Sequence, residues 1–168
     1  MQHEVLAERH HTAMIAGLFY LGTFVTGFLA FGAGASATVA NLLATLCYVG
    51  VTVLFYRLFA PVNPTLSLVA AMFSAIGCIL GFLAPFHITI SIGALPFFGV
   101  YCILIGYLIV ESTFMPTWLG VALMIGGLSW LTFASPALTA KLRPFNFAPG
   151  ILAEAALTVW LLAKGRTS

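Results

Sequence analysis

Glu154 is the residue whose setting most strongly suggests chemistry, because it is an acid inside an apolar run from about residue 147 to residue 163. In a helix it would lie roughly 10 Å along that run. A charged carboxylate facing lipid is costly, so Glu154 is expected to face other helices, to be protonated or to have a partner. The functional interpretation is a proton-linked or substrate-binding carboxylate. The structural interpretation is an interhelix hydrogen bond or an ion pair with Arg143 or Lys141, and both interpretations stay open.

Other polar side chains are expected at a membrane depth similar to that of Glu154. They are Asn41, Trp130, His87, Thr23, Thr26 and Ser129. Tyr101 and Tyr48 are expected near mid-depth, where each hydroxyl needs a partner and could find it in the other. If such groups converge, they line an intramembrane cavity that opens outward. The predicted substrate-binding residues are Glu154, Asn41, Trp130, His87 and Tyr101.

The alternative to a shared cavity is that each hydroxyl bonds its own helix backbone, as Ser and Thr often do. We expect this for Thr23, Thr26 and Ser129.

No spacing typical of a metal, haem or nucleotide site occurs in the chain. His10 and His11 are adjacent and would point about 100° apart on a helix, and His87 is expected at the opposite membrane face. A haem held by two of these histidines is therefore excluded. The three cysteines all lie inside apolar runs, and we interpret them as buried thiols. The prediction is no metal and no cofactor.

A second group of polar residues is expected at the inner ends of the apolar runs and is interpreted as structural. Arg57 and Glu111 end the second and fourth runs, and Asn63 lies in the turn between Pro61 and Pro64. Arg57 and Glu111 could form an ion pair, or Arg57 could extend to lipid phosphate.

The elements that must position these groups are long apolar helices. The chain of 168 residues is 62% hydrophobic and has only 6 basic and 4 acidic residues, whereas a soluble domain has about 25% charged residues. This composition excludes a soluble enzyme and a disordered tail. The net charge of +2 is too small for phosphate binding along nucleic acid. Apolar runs of roughly 20 residues fit a bilayer core about 30 Å thick.

We therefore predict an all-α integral membrane bundle of six transmembrane helices, with short loops and no soluble domain. The predicted spans of this single domain, residues 1–168, are about 12–31, 38–56, 66–83, 91–110, 118–133 and 147–163. Helices are required because lipid cannot satisfy an open backbone. Pro96 falls inside the fourth run and predicts a kink or a late start there. Pro149 falls in the first turn of the sixth, where a missing N–H costs nothing.

Small residues and a longer connection add two further expectations. Gly77 and Gly81 form a Gly-x-x-x-Gly pair, which is typical of a dimer face or of packing within the bundle. Packing within the bundle is favoured, since a six-helix chain has many internal contacts. The connection from Ser135 to Asn146 is expected to lie flat on the outer interface.

Basic residues predict the orientation. With six spans, Arg9, Arg57, Lys164 and Arg166 lie on one side, opposite Lys141 and Arg143. The positive-inside rule then places both termini in the cytoplasm, in the cytoplasmic (inner) membrane of a bacterium.

Several short segments carry a family resemblance. They are Ile15–Leu21, Ala37–Leu42, Leu58–Pro64, Ile105–Leu108, Met115–Gly120, Pro149–Glu154 and Trp160–Gly165. Together they resemble a bacterial membrane family catalogued as domain of unknown function 4386, over nearly the whole chain. The resemblance implies a six-helix integral membrane protein but no particular activity. The positions that match the family pattern are Arg57, Asn63, Pro116, Gly120, Glu154 and Trp160.

Three classes of function remain. The first is binding or transport of a small hydrophobic or weakly polar solute, or a lipid, through the outward cavity. The second is an accessory or assembly subunit of a larger membrane complex, and the third is an intramembrane enzyme, for which the chain offers few reactive groups. The expected partners are membrane lipids, a small hydrophobic ligand, and a homo-oligomer or larger complex, with no nucleic acid.

Overall fold

The computed structural model describes residues 2–32, 34–86, 88 and 93–164, and the regular elements in this part of the chain are all helices, without a strand. The helices are α1 (Gln2–Leu29), α2 (Ala35–Phe59), α3 (Pro64–Leu83), α4 (Leu95–Glu111), α5 (Thr117–Leu131), α6 (Pro136–Leu142) and α7 (Ala148–Lys164). Three single 3₁₀ turns follow α3, α5 and α6, at Ala84–Phe86, Thr132–Ala134 and Phe145–Phe147.

Prolines and caps explain where the helices begin. Asn63 caps α3 by accepting the amide N–H of Leu66 at 3.0 Å, and Pro64 follows it as the first helical residue, where its missing N–H costs nothing. Pro96 lies in the first turn of α4, which begins at Leu95. The late start predicted from this proline is confirmed.

Two helix boundaries differ from the sequence expectation. Helix α1 begins at Gln2, about ten residues before the predicted membrane span. The polar residues at its start include no proline or glycine, so the helix extends beyond the start of the apolar run. Helix α6 forms within the connection between α5 and α7, where Ser135 accepts the amide N–H of Leu138 and Pro136 begins the helix.

The long helices have the dimensions of membrane spans. Within the described residues, five helices are long and apolar enough to cross a bilayer by length and composition, and α4 is a shorter apolar helix. At 17 residues, α4 is about 25 Å long. Large apolar side chains such as Phe28, Leu152 and Val159 are exposed on the outside. Because that surface suits lipid rather than water, the molecule is an all-α membrane-type bundle.

The six long helices form a closed ring. Each packs against its neighbour in chain order, and α7 returns to pack against α1. The interior is filled by large side chains that include Tyr20, Phe55, Tyr101 and Leu157. Short α6 packs outside this ring, against the 3₁₀ turns on either side of it. The ring directs one face of every long helix toward a common centre.

Helices α4 and α5 approach each other closely because glycines face each other at two levels. A Cβ atom on Gly99 would lie 2.8 Å from the carbonyl oxygen of Gly127, and one on Gly106 would lie 2.5 Å from that of Gly120. Without side chains, the two backbones come into direct contact. This is the close packing by which helices associate in lipid.

The glycine pair noted in α3 also packs inside the bundle. Gly77 lies against the ring of Phe98 on α4, and Gly81 lies against Thr45 on α2. The preference for internal packing over a dimer face is confirmed for these two glycines.

At the end of the bundle opposite α6, the polar residues bond locally. Glu111 accepts a hydrogen bond of 2.8 Å from the hydroxyl of Tyr107, one turn earlier in α4. Arg57 is exposed in the last turn of α2, where a cation suits the helix dipole. The expected Arg57–Glu111 ion pair does not form among the described side chains, so that alternative was wrong. The acid has a closer donor on its own helix.

Candidate functional site

Glu154 faces the interior of the bundle. It lies on α7, is only 8% exposed, and accepts two hydrogen bonds at the same carboxyl oxygen, Oε1. The indole Nε1–H of Trp130 on α5 donates at 2.8 Å, and the thiol of Cys102 on α4 donates at 3.7 Å. Three helices of the ring therefore meet at this carboxyl group.

Glycines on the facing helices bring Trp130 to Glu154. A Cβ atom at Gly150, one turn before Glu154, would collide with the indole ring, so only glycine leaves room for it. A Cβ atom at Gly126 on α5 would lie 3.1 Å from Ala153 on α7. The local sequence thus allows α5 and α7 to approach until the indole reaches the carboxyl group.

Aromatic rings surround Trp130 near the α6 end of the bundle. The rings of Phe133 and Phe147 each lie 5.9 Å from the indole ring, and they lie 4.7 Å from each other. The guanidinium of Arg143 lies 6.0 Å from the centre of the Phe147 ring. These rings lie at the ends of α5 and α7 nearest the α6 connection.

Three tyrosines lie beside Glu154 in the centre of the ring. Tyr20 on α1, Tyr48 on α2 and Tyr101 on α4 are 0%, 6% and 1% exposed. The ring of Tyr48 contacts those of Tyr20 and Tyr101 edge to face, at 5.7 and 5.9 Å between centres. All three tyrosines are close enough to Glu154 to interact with its charge.

The three tyrosine hydroxyl oxygens are buried and form no hydrogen bond with any described residue. The expectation that Tyr48 and Tyr101 would satisfy each other was wrong, because their rings meet edge to face and their hydroxyl groups do not bond. We name Glu154, Trp130, Cys102 and the three tyrosines the Glu154 cluster. It combines a carboxyl group, which accepts hydrogen bonds, with three hydroxyl groups that can both donate and accept.

The hydrogen bond to Trp130 decides between two expectations for Glu154. The interhelix hydrogen bond is present, whereas no described ion pair joins Glu154 to Arg143 or Lys141. Arg143 lies against Phe147 instead. The carboxyl group is therefore held by neutral donors.

The structure does not bring Asn41 to the Glu154 cluster. Its side-chain amide donates to the carbonyl oxygen of Gly81 on α3 at 2.9 Å, which ties the first half of α2 to the end of α3. Asn41 also lines a separate cavity of about 210 Å³, with Ala30, Ala37, Thr38, Ala84 and Pro85. His87 lies outside the described residues.

The hydroxyl groups expected to bond their own helices do so. Thr23, Thr26 and Ser129 bond the carbonyl oxygens of Phe19, Gly22 and Gly126. They are not part of the Glu154 cluster.

Sequence reasoning missed three members of the cluster. The predicted substrate-binding residues do not include Cys102, Tyr48 or Tyr20, and Cys102 is expected only as a buried thiol. Each is a polar group well inside an apolar run at about the depth of Glu154, and that depth was the available signal.

Within the described residues, no group of three or more His, Cys, Asp or Glu side chains is placed to hold a metal ion.

Two comparisons found similar proteins. A family model described as "Domain of unknown function (DUF4386)" matches residues 79–165, a segment that includes Tyr101, Cys102, Trp130 and Glu154. A protein of Archaeoglobus fulgidus called "Uncharacterized protein" is 28% identical over 131 residues, which cover 70% of this chain and 76% of that protein. No solved structure matches the chain.

Proposed function

This chain belongs to the DUF4386 family, and we propose that it is a multi-pass membrane protein that binds a small, weakly polar solute in the Glu154 cluster. Transport of that solute across the membrane is an extension of the same proposal. The lipids around its apolar exterior are its constant partners.

The observation that carries the proposal is the set of three buried tyrosine hydroxyl groups without partners, grouped around a buried carboxyl group. In a folded protein, buried polar groups nearly always have a hydrogen-bond partner. An unmade bond at a buried group costs about 1–3 kcal/mol. A solute that forms hydrogen bonds with the three hydroxyl groups would remove this cost at each of them. A bundle centre that served only for packing would not need hydroxyl groups there.

The position of the cluster favours entry from the end of the bundle nearest α6. Glu154 is the seventh residue of α7, about 9 Å from the start of that helix. The rings of Trp130, Phe133 and Phe147 lie on that side of it. A solute would therefore enter past these rings, and their movement would control access.

We place both termini on the cytoplasmic side of the membrane. Among the described residues, Arg9, Arg57 and Lys164 lie on α1, α2 and α7 toward the end of the bundle opposite α6, whereas Lys141 and Arg143 lie in and directly after α6. The positive-inside rule favours this orientation. The proposed entrance near α6 then faces outward.

Tryptophan fluorescence tests the proposed binding, because Trp130 donates directly to Glu154. In a W118F/W160F background, Trp130 is the sole tryptophan. The W118F substitution changes a side chain that is mostly exposed. The purified protein in lipid nanodiscs would be titrated with methylammonium chloride, methanol, acetamide and sodium formate. We expect a saturable change in Trp130 emission with at least one of these solutes.

The matched control is the W130F/W160F variant, in which Trp118 on the outside of α5 is the reporter. It should show no saturable change with the same solutes. The proposal fails if Trp130 emission responds to none of them, or if both reporters respond alike.

A further inference from the structure

We propose that the solute bound by the Glu154 cluster is a small protonated amine. This inference rests on the proposed function and names the chemical class of the ligand. It follows from the charge of the cluster, from its hydrogen-bonding groups and from its aromatic walls.

A charged Glu154 needs a positive partner. Glu154 is the one acidic or basic side chain buried in the described part of the chain, and its hydrogen bonds come from neutral donors. A carboxylate inside a membrane bundle is stabilised by a proton or by a cation. A cationic ligand would supply the positive charge that no described side chain brings to this carboxyl group.

The hydrogen-bonding groups match an ammonium group. An ammonium nitrogen has three N–H donors and no acceptor, whereas each phenol oxygen accepts hydrogen bonds. Both protein donors to Glu154 bond to Oε1. The hydroxyl oxygens of Tyr20, Tyr48 and Tyr101 supply three acceptors without a protein partner, and the carboxylate of Glu154 is a further acceptor.

Aromatic rings dominate the surroundings of these acceptors. Tyr48 lies 4.4 Å from Phe98, and Tyr20 lies 5.8 Å from Phe55, between ring centres. Rings attract a cation that lies within about 6 Å of their faces.

Other ligand classes fit the cluster less well. An anion would be repelled by Glu154, and a neutral alcohol would leave the carboxylate without a positive charge. Sodium and calcium ions take many oxygen ligands, preferably carboxylate and carbonyl groups, and the described residues contain no cluster of metal-binding side chains. An organic ammonium group satisfies both the charge and the phenol oxygens.

Binding of radiolabelled methylammonium to the full chain in nanodiscs tests this inference. We expect saturable binding that unlabelled methylammonium displaces at a concentration at least ten times lower than methanol does. Sodium chloride at the same ionic strength should not displace it. The E154Q variant should weaken binding at least tenfold, and E154D should restore part of it.

Two further variants keep the test informative if E154Q does not fold. Y101F removes one hydroxyl group and should weaken methylammonium binding several-fold, while E111Q, at the exposed end of α4, should leave it unchanged. Binding of methanol in place of methylammonium, or equal displacement by sodium, would overturn the amine assignment and leave the proposed function standing. If neither methylammonium nor any solute of the fluorescence panel binds, both proposals fail.

Discussion

At the scale of single residues, Glu154 shows how an acid is accommodated inside an apolar bundle. The indole of Trp130 and the thiol of Cys102 donate to its carboxyl group, and no described basic residue pairs with it. A side-chain hydrogen bond between two helices of a membrane bundle contributes about 0.6 kcal/mol to stability on average. The carboxyl group therefore links α4, α5 and α7 at a modest gain in stability.

Replacing Glu154 by Ala is expected to reduce the free energy of unfolding by about 1–3 kcal/mol, because Trp130 and Cys102 lose their acceptor. E154Q keeps an acceptor oxygen and should lose less than half as much. The measurement is reversible unfolding by sodium dodecyl sulfate in mixed micelles. E111Q, whose parent carboxyl is exposed, serves as the control with a change within about 0.5 kcal/mol. If E154A unfolds like the wild type, the carboxyl group is not a structural acceptor.

The sequence predicted that Glu154 faces other helices, but it could not identify the donors. An acidic residue inside a membrane span is a candidate functional residue because burying its charge is costly. The residues that reach Glu154 depend on how closely α5 and α7 approach each other. Gly150 and Gly126 set that distance, because each lies against the facing helix. Asn41 shows the opposite case, since similar depth was taken as proximity although its amide bonds to Gly81.

At the scale of helices, the sequence predicted the positions of the six long elements because apolar length and proline act locally. Pro64 and Pro96 lie at the starts of α3 and α4. Helix α6 was not predicted, because seven residues with mixed polarity carry too little periodicity to distinguish a short helix from a loop. The backbone contact between α4 and α5 also escaped prediction, since it requires glycines on two helices to face each other.

Substituting Gly106 by Ala is expected to destabilise the bundle. The new Cβ atom would meet the carbonyl oxygen of Gly120, and strain of this kind costs about 1–3 kcal/mol. That cost exceeds the gain in helix propensity, which is up to about 1 kcal/mol. The same unfolding assay measures the difference.

The control for Gly106 is Gly27 in α1, where a Cβ atom would meet nothing within 4 Å. G27A should be as stable as the wild type or slightly more stable. Equal effects of G106A and G27A would show that α4 and α5 are not in backbone contact.

A buried hydroxyl pair joins α2 and α3. Thr52 and Ser74 lie 2.6 Å apart between their oxygen atoms, and Thr52 also donates to the carbonyl oxygen of Tyr48 at 2.8 Å. Because a hydroxyl group has one proton, Ser74 is the donor to Thr52. A double-mutant cycle with T52V and S74A should give a coupling energy of about 0.6 kcal/mol, and up to about 1.7 kcal/mol.

The control for this cycle is a threonine that bonds only its own helix. Thr26 donates to the carbonyl oxygen of Gly22 at 2.7 Å, so T26V combined with S74A should be additive within about 0.5 kcal/mol. A coupling energy of zero between Thr52 and Ser74 would exclude their hydrogen bond.

At the scale of the whole molecule, the chain is a ring of six long helices with an apolar exterior and polar groups in its centre. Composition predicted the membrane class, since 10 charged residues (6 basic plus 4 acidic) cannot cover a soluble globule of this size. The closure of the ring by α1 and α7 was not predictable, because apolar faces are alike in every helix and do not specify neighbours. That closure brings Tyr20 beside Glu154.

The orientation predicts the result of reporter fusions in a bacterial host. Alkaline phosphatase, which is active only outside the cytoplasm, should be active when fused after Thr139 in α6 and inactive when fused after Val62. Green fluorescent protein fused to the C-terminus should fluoresce. The reverse pattern would place the termini outside and the proposed entrance in the cytoplasm.

The most direct test of the central claim is a structure of the protein in lipid at side-chain resolution, determined with methylammonium present. We expect non-protein density within hydrogen-bond distance of the Glu154 carboxyl group and of at least two of the hydroxyl groups of Tyr20, Tyr48 and Tyr101. A dry centre in which all three hydroxyl groups bond to protein atoms would contradict it.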